Sequence, residues 1–257
     1  MHRARKRFGQ HFLHDSNVVE CILRALDPKP GDRLLEIGPG QGALTYPLLE
    51  RCGSLLAIEL DRDLIPALRA TAEPLGDLQL INADILEFNF SGLPGSGRYR
   101  VVGNLPYNIS TPLMFHLLDS VQRIEDMHFM VQKEVALRIV ASPDDANYGR
   151  LSVMLQYRCD CEYLFDVAPG CFTPPPKIVS AVIRLRPLPV PRCDVGDEAQ
   201  FARLVQTAFS QRRKTIANSL KSMLDREALH SCGIDPGLRA ENLGIDQFAC
   251  LSKALIQ

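Results

Sequence analysis

Long hydrophobic runs are absent from this chain of 257 residues, and no apolar stretch approaches the ~20 residues that a membrane-spanning helix needs. The N-terminus is basic, but the apolar stretch Phe8–Leu13 is too short and too polar for the core of a signal peptide. A hydrophobic content of 46% is ordinary for a globular protein of this length. We therefore expect a cytoplasmic protein with one full core and a smaller additional unit.

The chain has eight cysteines but lacks any Cys-x-x-Cys pair, so zinc binding and thioredoxin-like chemistry have no supporting spacing. Cys159 and Cys161 alternate on a predicted strand, a pattern that is typical of packing. His11 and His14 do not form a recognisable metal-binding motif, and we interpret them as non-metallic. We predict free, reduced cysteines and no metal site.

A strong excess of charge of one sign is also missing, because the net charge is −1. Two local basic clusters do occur: Arg3, Arg5, Lys6 and Arg7, and Arg212, Arg213 and Lys214. Local clusters are sufficient to contact RNA phosphates, although each could equally be a solvated surface.

Short apolar runs alternate with amphipathic stretches in the first two thirds of the chain, which predicts a parallel sheet built from βαβ units. The predicted parallel strands are Arg33–Ile37, Leu55–Ile58, Leu78–Ile81, Arg100–Val102 and Met127–Val131, and the predicted antiparallel strands are Cys161–Val167 and Ile178–Leu185. The predicted helices are Ala43–Arg51, Arg62–Ala72, Thr111–Leu118 and a helix capped by Asp15 that extends to Leu26.

A proline-rich linker, Pro187–Arg192, marks the predicted domain boundary. We expect a sheet domain over residues 1–189 and a small all-helical domain over residues 190–257. Within the second domain, Glu198–Phe209 and Arg213–Leu224 have helical periodicity.

A glycine-rich turn, Glu36-Ile-Gly-Pro-Gly-Gln-Gly42, follows the first strand of the sheet. Its spacing is neither the dinucleotide fingerprint nor a phosphate-binding loop. Glu59 ends the second strand and can accept hydrogen bonds from ribose hydroxyls, while Asp84 and Ile85 end the third and can contact an adenine ring. Together these positions predict a bound adenosine, with NAD and S-adenosylmethionine as the candidate cofactors.

The fourth strand ends in Asn104-Leu105-Pro106-Tyr107, which dehydrogenases do not require. The Asn104 side chain and the Leu105 carbonyl can accept the N–H groups of an amine, and Tyr107 can stack on its ring. This turn therefore predicts transfer of a methyl group from S-adenosylmethionine to a planar amine such as adenine.

Motifs along nearly the whole chain resemble the ribosomal RNA adenine dimethyltransferase family, in particular its bacterial small-subunit branch. These motifs are Arg5–Leu13, Glu36–Gly42, Ile58–Asp61, Gly103–Pro112, Phe129–Glu134 and Phe172–Lys177. The resemblance implies a Rossmann-like methyltransferase that uses S-adenosyl-L-methionine to dimethylate N6 of two adjacent adenosines near the 3′ end of 16S rRNA. It also implies a part in small-subunit assembly.

The resemblance further implies roles for individual residues. The cofactor would contact His11, Leu13, Gly38, Gly40, Glu59, Asp84, Ile85 and Asn104, while Asn104, Leu105, Tyr107 and Phe172 would hold the target adenine. The RNA would contact Arg5, Lys6, Arg7, Arg212, Arg213, Lys214 and Lys221, with the second cluster at the start of a helix.

Two alternatives remain open at this point: a large-subunit methyltransferase of the macrolide-resistance type, and an RNA-binding assembly factor whose catalysis is dispensable. We expect a monomer, since no apolar interface stripe is evident.

Overall fold

A computed structural model describes residues 10–255 and divides the chain into two compact units. The first unit contains the segments up to Ala136 and Glu162–Pro187, and the second contains Leu137–Cys161 and the segment from Leu188 onward. The predicted boundary after residue 189 therefore lies close to the one observed, but it omits an internal segment. That segment belongs to the second unit because its apolar side chains, including Tyr148 and Val153, are buried among those of the C-terminal helices.

The strands follow one another along the chain as β1 (Phe12–Leu13), β2 (Leu34–Ile37), β3 (Ser54–Glu59), β4 (Asp77–Asn82), β5 (Tyr99–Asn104), β6 (Ile124–Gln132), β7 (Cys159–Val167), β8 (Phe172–Thr173) and β9 (Ser180–Pro187). The helices are α1 (Ser16–Leu26), α2 (Thr45–Cys52), α3 (Ile65–Ala72), α4 (Ser110–Leu118), α5 (Lys133–Val140), α6 (Arg150–Arg158), α7 (Glu198–Phe209), α8 (Ile216–Ser219), α9 (Arg226–Ser231) and α10 (Ile245–Ala254).

A seven-stranded sheet in the order β4-β3-β2-β5-β6-β9-β7 is the centre of the fold. β4, β3, β2, β5 and β6 pair in parallel, and β9 pairs with β6 in the antiparallel direction. The strand order reverses between β2 and β5. In open sheets of this kind, such a switch point opens a crevice at the carboxyl ends of the strands, where ligands bind.

The predicted strands and most predicted helices are confirmed, with shifts of a few residues at their ends. All four residues of β2 are buried, as expected for a parallel strand covered on both faces. Asp15 caps α1 as predicted, because its side chain accepts hydrogen bonds from the backbone N–H groups of Asn17 and Val18.

A short antiparallel pair outside the main sheet was not predicted. It joins β1 to β8, with Leu13 opposite Phe172 and Phe12 opposite Thr173. Each strand has only two residues, which is too short for any periodic signal in the sequence. The pair fastens the segment that precedes α1 to the loop that precedes β9.

The second unit is helical apart from the first residues of β7, and its core includes Phe201, Leu204 and Phe248. α7 has the predicted bounds, whereas the helix predicted over residues 213–224 is wrong, since only α8 forms there. Thr215 occupies the extended N-cap position of α8, and residues 211–214 form a turn. Local periodicity did not reveal this break.

A disulfide joins Cys232 to Cys250, so the prediction of free cysteines throughout is wrong for this pair. The two residues are separated by 18 positions, and the packing of α9 against α10 brings their Cα atoms to 5.8 Å. The other six cysteines are free.

Within residues 10–255, no helix combines the length and the apolar character that crossing a membrane requires.

Candidate functional site

A cavity of about 250 Å³ lies at the carboxyl ends of the parallel strands, within the first unit. It is lined by the turns that follow β2, β3, β4 and β5 and by residues 10–13 of the N-terminal segment. These are the strand ends on which the sequence placed a ligand, and they flank the switch point between β2 and β5.

The glycine-rich turn after β2 supplies one wall and leaves room for a ligand. Gly38 has a φ of +68°, and a Cβ atom built on it would meet nothing within 4 Å. Its N–H donates to the carbonyl of Ile58 at 2.9 Å, which holds the turn against the neighbouring strand. Gly40 lines the cavity beside it and donates its N–H to Oε2 of Glu59 at 3.0 Å.

Glu59 ends β3 and is nearly buried, with 5% of its surface exposed. Besides the bond from Gly40, its Oε1 accepts the N–H of Asp61 at 2.8 Å. Burial raises the pKa of its carboxyl group, although the backbone N–H donors oppose this shift. The carboxyl group is thus held in a fixed orientation in the cavity wall.

Glu36 is a second buried carboxylic acid in the wall, and it was not assigned a role from the sequence. It is 1% exposed and accepts a hydrogen bond from the Thr45 hydroxyl at 2.6 Å. Burial, together with the nearby charge of Glu59, raises its pKa to about 8, although the hydrogen bond from Thr45 opposes this shift. Its position within the glycine-rich motif was the available signal.

Asp84 and Ile85 line the cavity beyond the end of β4, as predicted. Oδ1 of Asp84 accepts the N–H of Leu86 at 2.9 Å, and this bond fixes the carboxylate at the rim. Ile85 is 6% exposed and supplies an apolar wall. A polar acceptor beside an apolar surface suits a flat heteroaromatic ring that carries an amino group.

Asn104 and Leu105 face the cavity from the end of β5. Nδ2 of Asn104 donates to the carbonyl of His11 at 2.9 Å, so the acceptor atom Oδ1 is not used by that bond. The N–H of Leu105 donates to Met130 at 3.0 Å, whereas its carbonyl accepts no hydrogen bond from residues 10–255. Two acceptors are therefore available side by side.

A close approach of β5 to β2 makes this arrangement possible. A Cβ atom on Gly103 would lie 2.5 Å from the carbonyl oxygen of Ile37. No other residue fits at that distance, so the glycine allows Asn104 to lie beside the glycine-rich turn.

Tyr107 is held by two other segments of the first unit. Its ring stacks on that of His11, with the ring centroids 5.5 Å apart and the planes inclined by 26°. Its hydroxyl forms a hydrogen bond of 2.6 Å with the hydroxyl of Ser180. Nδ1 of His11 is 2.7 Å from the carbonyl of Pro174, so the N-terminal segment is fixed as well.

His11 and Leu13 line the cavity as predicted, but Phe172 does not. Phe172 is 2% exposed and packs in the core with Leu13, its partner across the β1–β8 pair. The expected placement of this ring against a target base is therefore corrected. The strand pairing turns the side chain inward, and no local sequence pattern specified that direction.

The predicted RNA contacts lie elsewhere. Arg5, Lys6 and Arg7 fall outside the described residues. The others, Arg212, Arg213, Lys214 and Lys221, are exposed on the second unit. Arg212 donates to the carbonyl of Ala146 at 2.7 Å and lies 3.6 Å from Glu241, whereas no carboxylate of residues 10–255 pairs with Arg213, Lys214 or Lys221.

Comparison with known proteins agrees with this geometry. The family model described as ribosomal RNA adenine dimethylase matches residues 1–257. Ribosomal RNA small subunit methyltransferase A of Pseudomonas aeruginosa is 52% identical over 257 residues, covering 100% of this chain and 96% of the relative. The protein of the same name from Thiobacillus denitrificans is 53% identical over 255 residues, covering 99% of each chain.

Two solved structures are similar over nearly the whole chain. A dimethyladenosine transferase from Plasmodium falciparum superposes with a TM-score of 0.80 at 25% identity, covering 94% of this chain and 96% of that one. The 23S rRNA methyltransferase ErmE superposes with a TM-score of 0.72 at 27% identity, covering 96% and 100%.

The sheet, the glycine-rich turn and the Asn-Leu-Pro-Tyr turn at one edge define a Rossmann-like methyltransferase that depends on S-adenosylmethionine. The match over the whole chain is more specific. The chain belongs to the ribosomal RNA adenine dimethylase family.

Glu36 provides a test of the electrostatics of the cavity. Its pKa is raised from 4.5 to about 8 in the folded protein, so between these values the unfolded chain ionises and the folded protein does not. Stability is therefore lost as the pH rises through this window, by about 1.4 kcal/mol per pH unit. Between pH 5 and 7, the free energy of unfolding of the parent should fall by roughly 3 kcal/mol relative to Glu36→Gln.

Denaturant unfolding, followed by circular dichroism at several pH values, measures this difference. Glu50→Gln, an exposed change on α2, is the matched control and should follow the parent at every pH. Parallel curves for the parent and Glu36→Gln would contradict the raised pKa.

Proposed function

We propose that this protein transfers methyl groups from S-adenosyl-L-methionine to N6 of two adjacent adenosines in the 3′-terminal hairpin loop of 16S rRNA. The products are dimethyladenosines, and the protein also contributes to small-subunit assembly. The observation that carries the proposal is the pair of free acceptors, Oδ1 of Asn104 and the carbonyl of Leu105, beside the cavity at the carboxyl ends of the strands.

The residues of the cavity fit the cofactor. Glu59 suits ribose hydroxyls, Asp84 with Ile85 suits the adenine ring, and Gly38 leaves space for the methionine part. The buried carboxyl group of Glu59 also suits a ligand with positive charge on its sulfonium and ammonium groups. His11, Leu13, Gly40 and Asn104 complete the proposed set.

The two acceptors of the turn after β5 would orient the target amine. If Asn104 and Leu105 accept its two N–H groups, the nitrogen lone pair is directed out of the plane of the base, towards the methyl group. S-adenosylmethionine, when bound, would supply an electrophilic methyl group, because its sulfonium becomes a neutral thioether when the carbon–sulfur bond breaks. Such orientation accounts for several kcal/mol of barrier reduction, so no general base is needed, and the released proton passes to water.

Tyr107 is the proposed stacking surface for a flipped adenine. One face of its ring is covered by His11, so the other face is the one offered to the base. Because Phe172 is buried in the core, this function does not rely on its ring.

The curated relatives favour the small-subunit substrate over the large-subunit one, since those at about half identity are named small subunit methyltransferases. The similarity to a 23S rRNA methyltransferase is at 27% identity and reflects the shared fold. An assembly factor without catalysis would not need the two free acceptors in the turn after β5.

The proposal includes a monomeric, cytoplasmic protein whose partner is 16S rRNA within the small ribosomal subunit or its precursor. Few large apolar side chains are exposed in the described part of the chain, and those are Leu60, Leu137, Ile178, Val179 and Val190. Arg5, Lys6, Arg7 and the exposed cluster on the second unit are the proposed phosphate contacts.

The function is tested by incubating the protein and labelled S-adenosylmethionine with undermethylated small subunits and, separately, with 23S rRNA. Mass spectrometry then locates the label. Dimethyladenosine in the 3′ hairpin of 16S rRNA is the expected result. Label confined to 23S rRNA would overturn the proposed substrate, and particle binding without any label would favour the assembly factor.

Asn104→Ala removes one of the two acceptors of the target amine. The rate of transfer at saturating substrate should fall by about 10²–10³-fold, because a preorganised polar contact to the reacting group is lost. Cofactor affinity, measured by calorimetry, should fall much less than the rate, because Asn104 is one of eight proposed cofactor contacts. Glu59→Ala is the converse control, because removal of this carboxyl group should weaken cofactor binding more than it lowers the transfer rate at saturating cofactor. Full activity of Asn104→Ala would contradict the role of this residue.

Arg213 and Lys214 are the cations of the basic turn that have no carboxylate partner within residues 10–255. Replacing both with Gln should weaken binding to small subunits and reduce the slope of log affinity against log salt by about 1–2. Arg226→Gln with Lys253→Gln, a change of the same charge elsewhere in the second unit, should leave the slope unchanged. An identical slope for both pairs would show that the basic turn is merely solvated.

A further inference from the structure

Ser180 is a buried hydroxyl group that neither the sequence analysis nor the proposed chemistry uses. It is the first residue of β9 and is 0% exposed. Because β9 runs antiparallel to β6, Ser180 lies opposite Gln132, the last residue of β6. The antiparallel strand thus brings its first residue to the same edge of the sheet as the turn after β5.

The hydroxyl group of Ser180 is 2.6 Å from that of Tyr107. Buried hydroxyl groups need hydrogen-bond partners, and this bond gives each of the two a partner. Burial also raises the pKa of the Tyr107 hydroxyl, so it stays protonated and can donate.

Two contacts therefore define the orientation of the Tyr107 ring. The stacking on His11, with the centroids 5.5 Å apart, covers one face of the ring but does not prevent the ring from turning in its own plane. The hydrogen bond to Ser180 fixes the position of the Tyr107 hydroxyl group and so prevents this movement. Tyr107 lies outside any strand or helix, between β5 and α4, so regular backbone structure does not fix it.

We propose that Ser180 is a positioning residue that holds the Tyr107 ring in the plane required to stack on the target adenine. This inference rests on the proposed function, since it assigns the orientation of the stacking surface to a residue outside the cavity. Stacking contributes roughly 1–3 kcal/mol per base and depends on the relative orientation of the two planes. A ring without its anchor samples orientations in which the flipped base is not supported.

The test uses Ser180→Ala, Tyr107→Phe and the double variant in the full-length protein. The substrate is a small subunit whose 16S rRNA carries 2-aminopurine in place of the target adenosine, and 2-aminopurine fluorescence reports base unstacking. Methyl transfer is measured in parallel on unsubstituted, undermethylated subunits.

We expect Ser180→Ala to lower kcat about 10-fold and to enlarge the fluorescence increase on binding, because the flipped base is stacked less on Tyr107. KM for the subunit should stay within about twofold, because most of the RNA contacts are unchanged. Tyr107→Phe should change kcat and fluorescence by the same amounts as Ser180→Ala. The double variant should lose no more activity than either single variant, because each substitution removes the same hydrogen bond.

Ser252→Ala is the matched control, because it removes another buried serine hydroxyl, one that donates to the carbonyl of Val195 in the second unit. It should lose comparable thermal stability without any change in fluorescence. Effects of Ser180→Ala and Tyr107→Phe that multiply in the double variant would overturn the proposal, as would an unchanged fluorescence increase in Ser180→Ala. If the parent itself leaves 16S rRNA unmethylated, the proposed function fails instead.

Discussion

The parallel pairing of β2 with β5 is the constraint on which the rest of the site depends. Glu36 lies opposite Val102, so the glycine-rich turn and the Asn-Leu-Pro-Tyr turn leave the sheet at the same level. The strand order reverses at this pair, which opens the crevice between the two turns. Gly103 permits this close approach, because a Cβ atom at its position would lie 2.5 Å from the carbonyl oxygen of Ile37. The pairing of the two strands thus places the glycine-rich turn next to the two free acceptors, Oδ1 of Asn104 and the Leu105 carbonyl.

The buried carboxyl groups in this crevice lower the stability of the folded protein. Burying the carboxyl groups of Glu36 and Glu59 beside each other is costly, and the raised pKa of each group is a measure of that cost. The surrounding donors, the Thr45 hydroxyl and the N–H groups of Gly40 and Asp61, compensate only in part. Departures of this kind from the rules that favour stability are expected at functional sites, and these two groups lie in the wall of the cavity.

The strands of the sheet and the residues at their carboxyl ends were predictable, because each strand is a short apolar run bounded by turn residues. Nearly every residue that the sequence analysis assigned to the cofactor site therefore lines the cavity. What could not be predicted depends on partners distant in the chain: the inward direction of Phe172, the grouping of residues 137–161 with the helical unit, and the Cys232–Cys250 disulfide. The helix expected over residues 213–224 was wrong for a local reason. The segment has helical periodicity, but Thr215 adopts an extended N-cap conformation, so the helix starts only at Ile216.

The segment from β8 to the start of β9 supports the side of the cavity that contains His11 and Tyr107. Its Pro174 carbonyl holds His11, and Ser180 at its end holds Tyr107, so both stacked rings are anchored to the same stretch of chain. The Asn104 amide bonds to the backbone of His11 and joins the same network. The opposite wall of the cavity is built differently, from the ends of β2, β3 and β4. The two walls therefore rest on different structural supports, and under the proposed function His11 and Asn104 would contribute to both ligands.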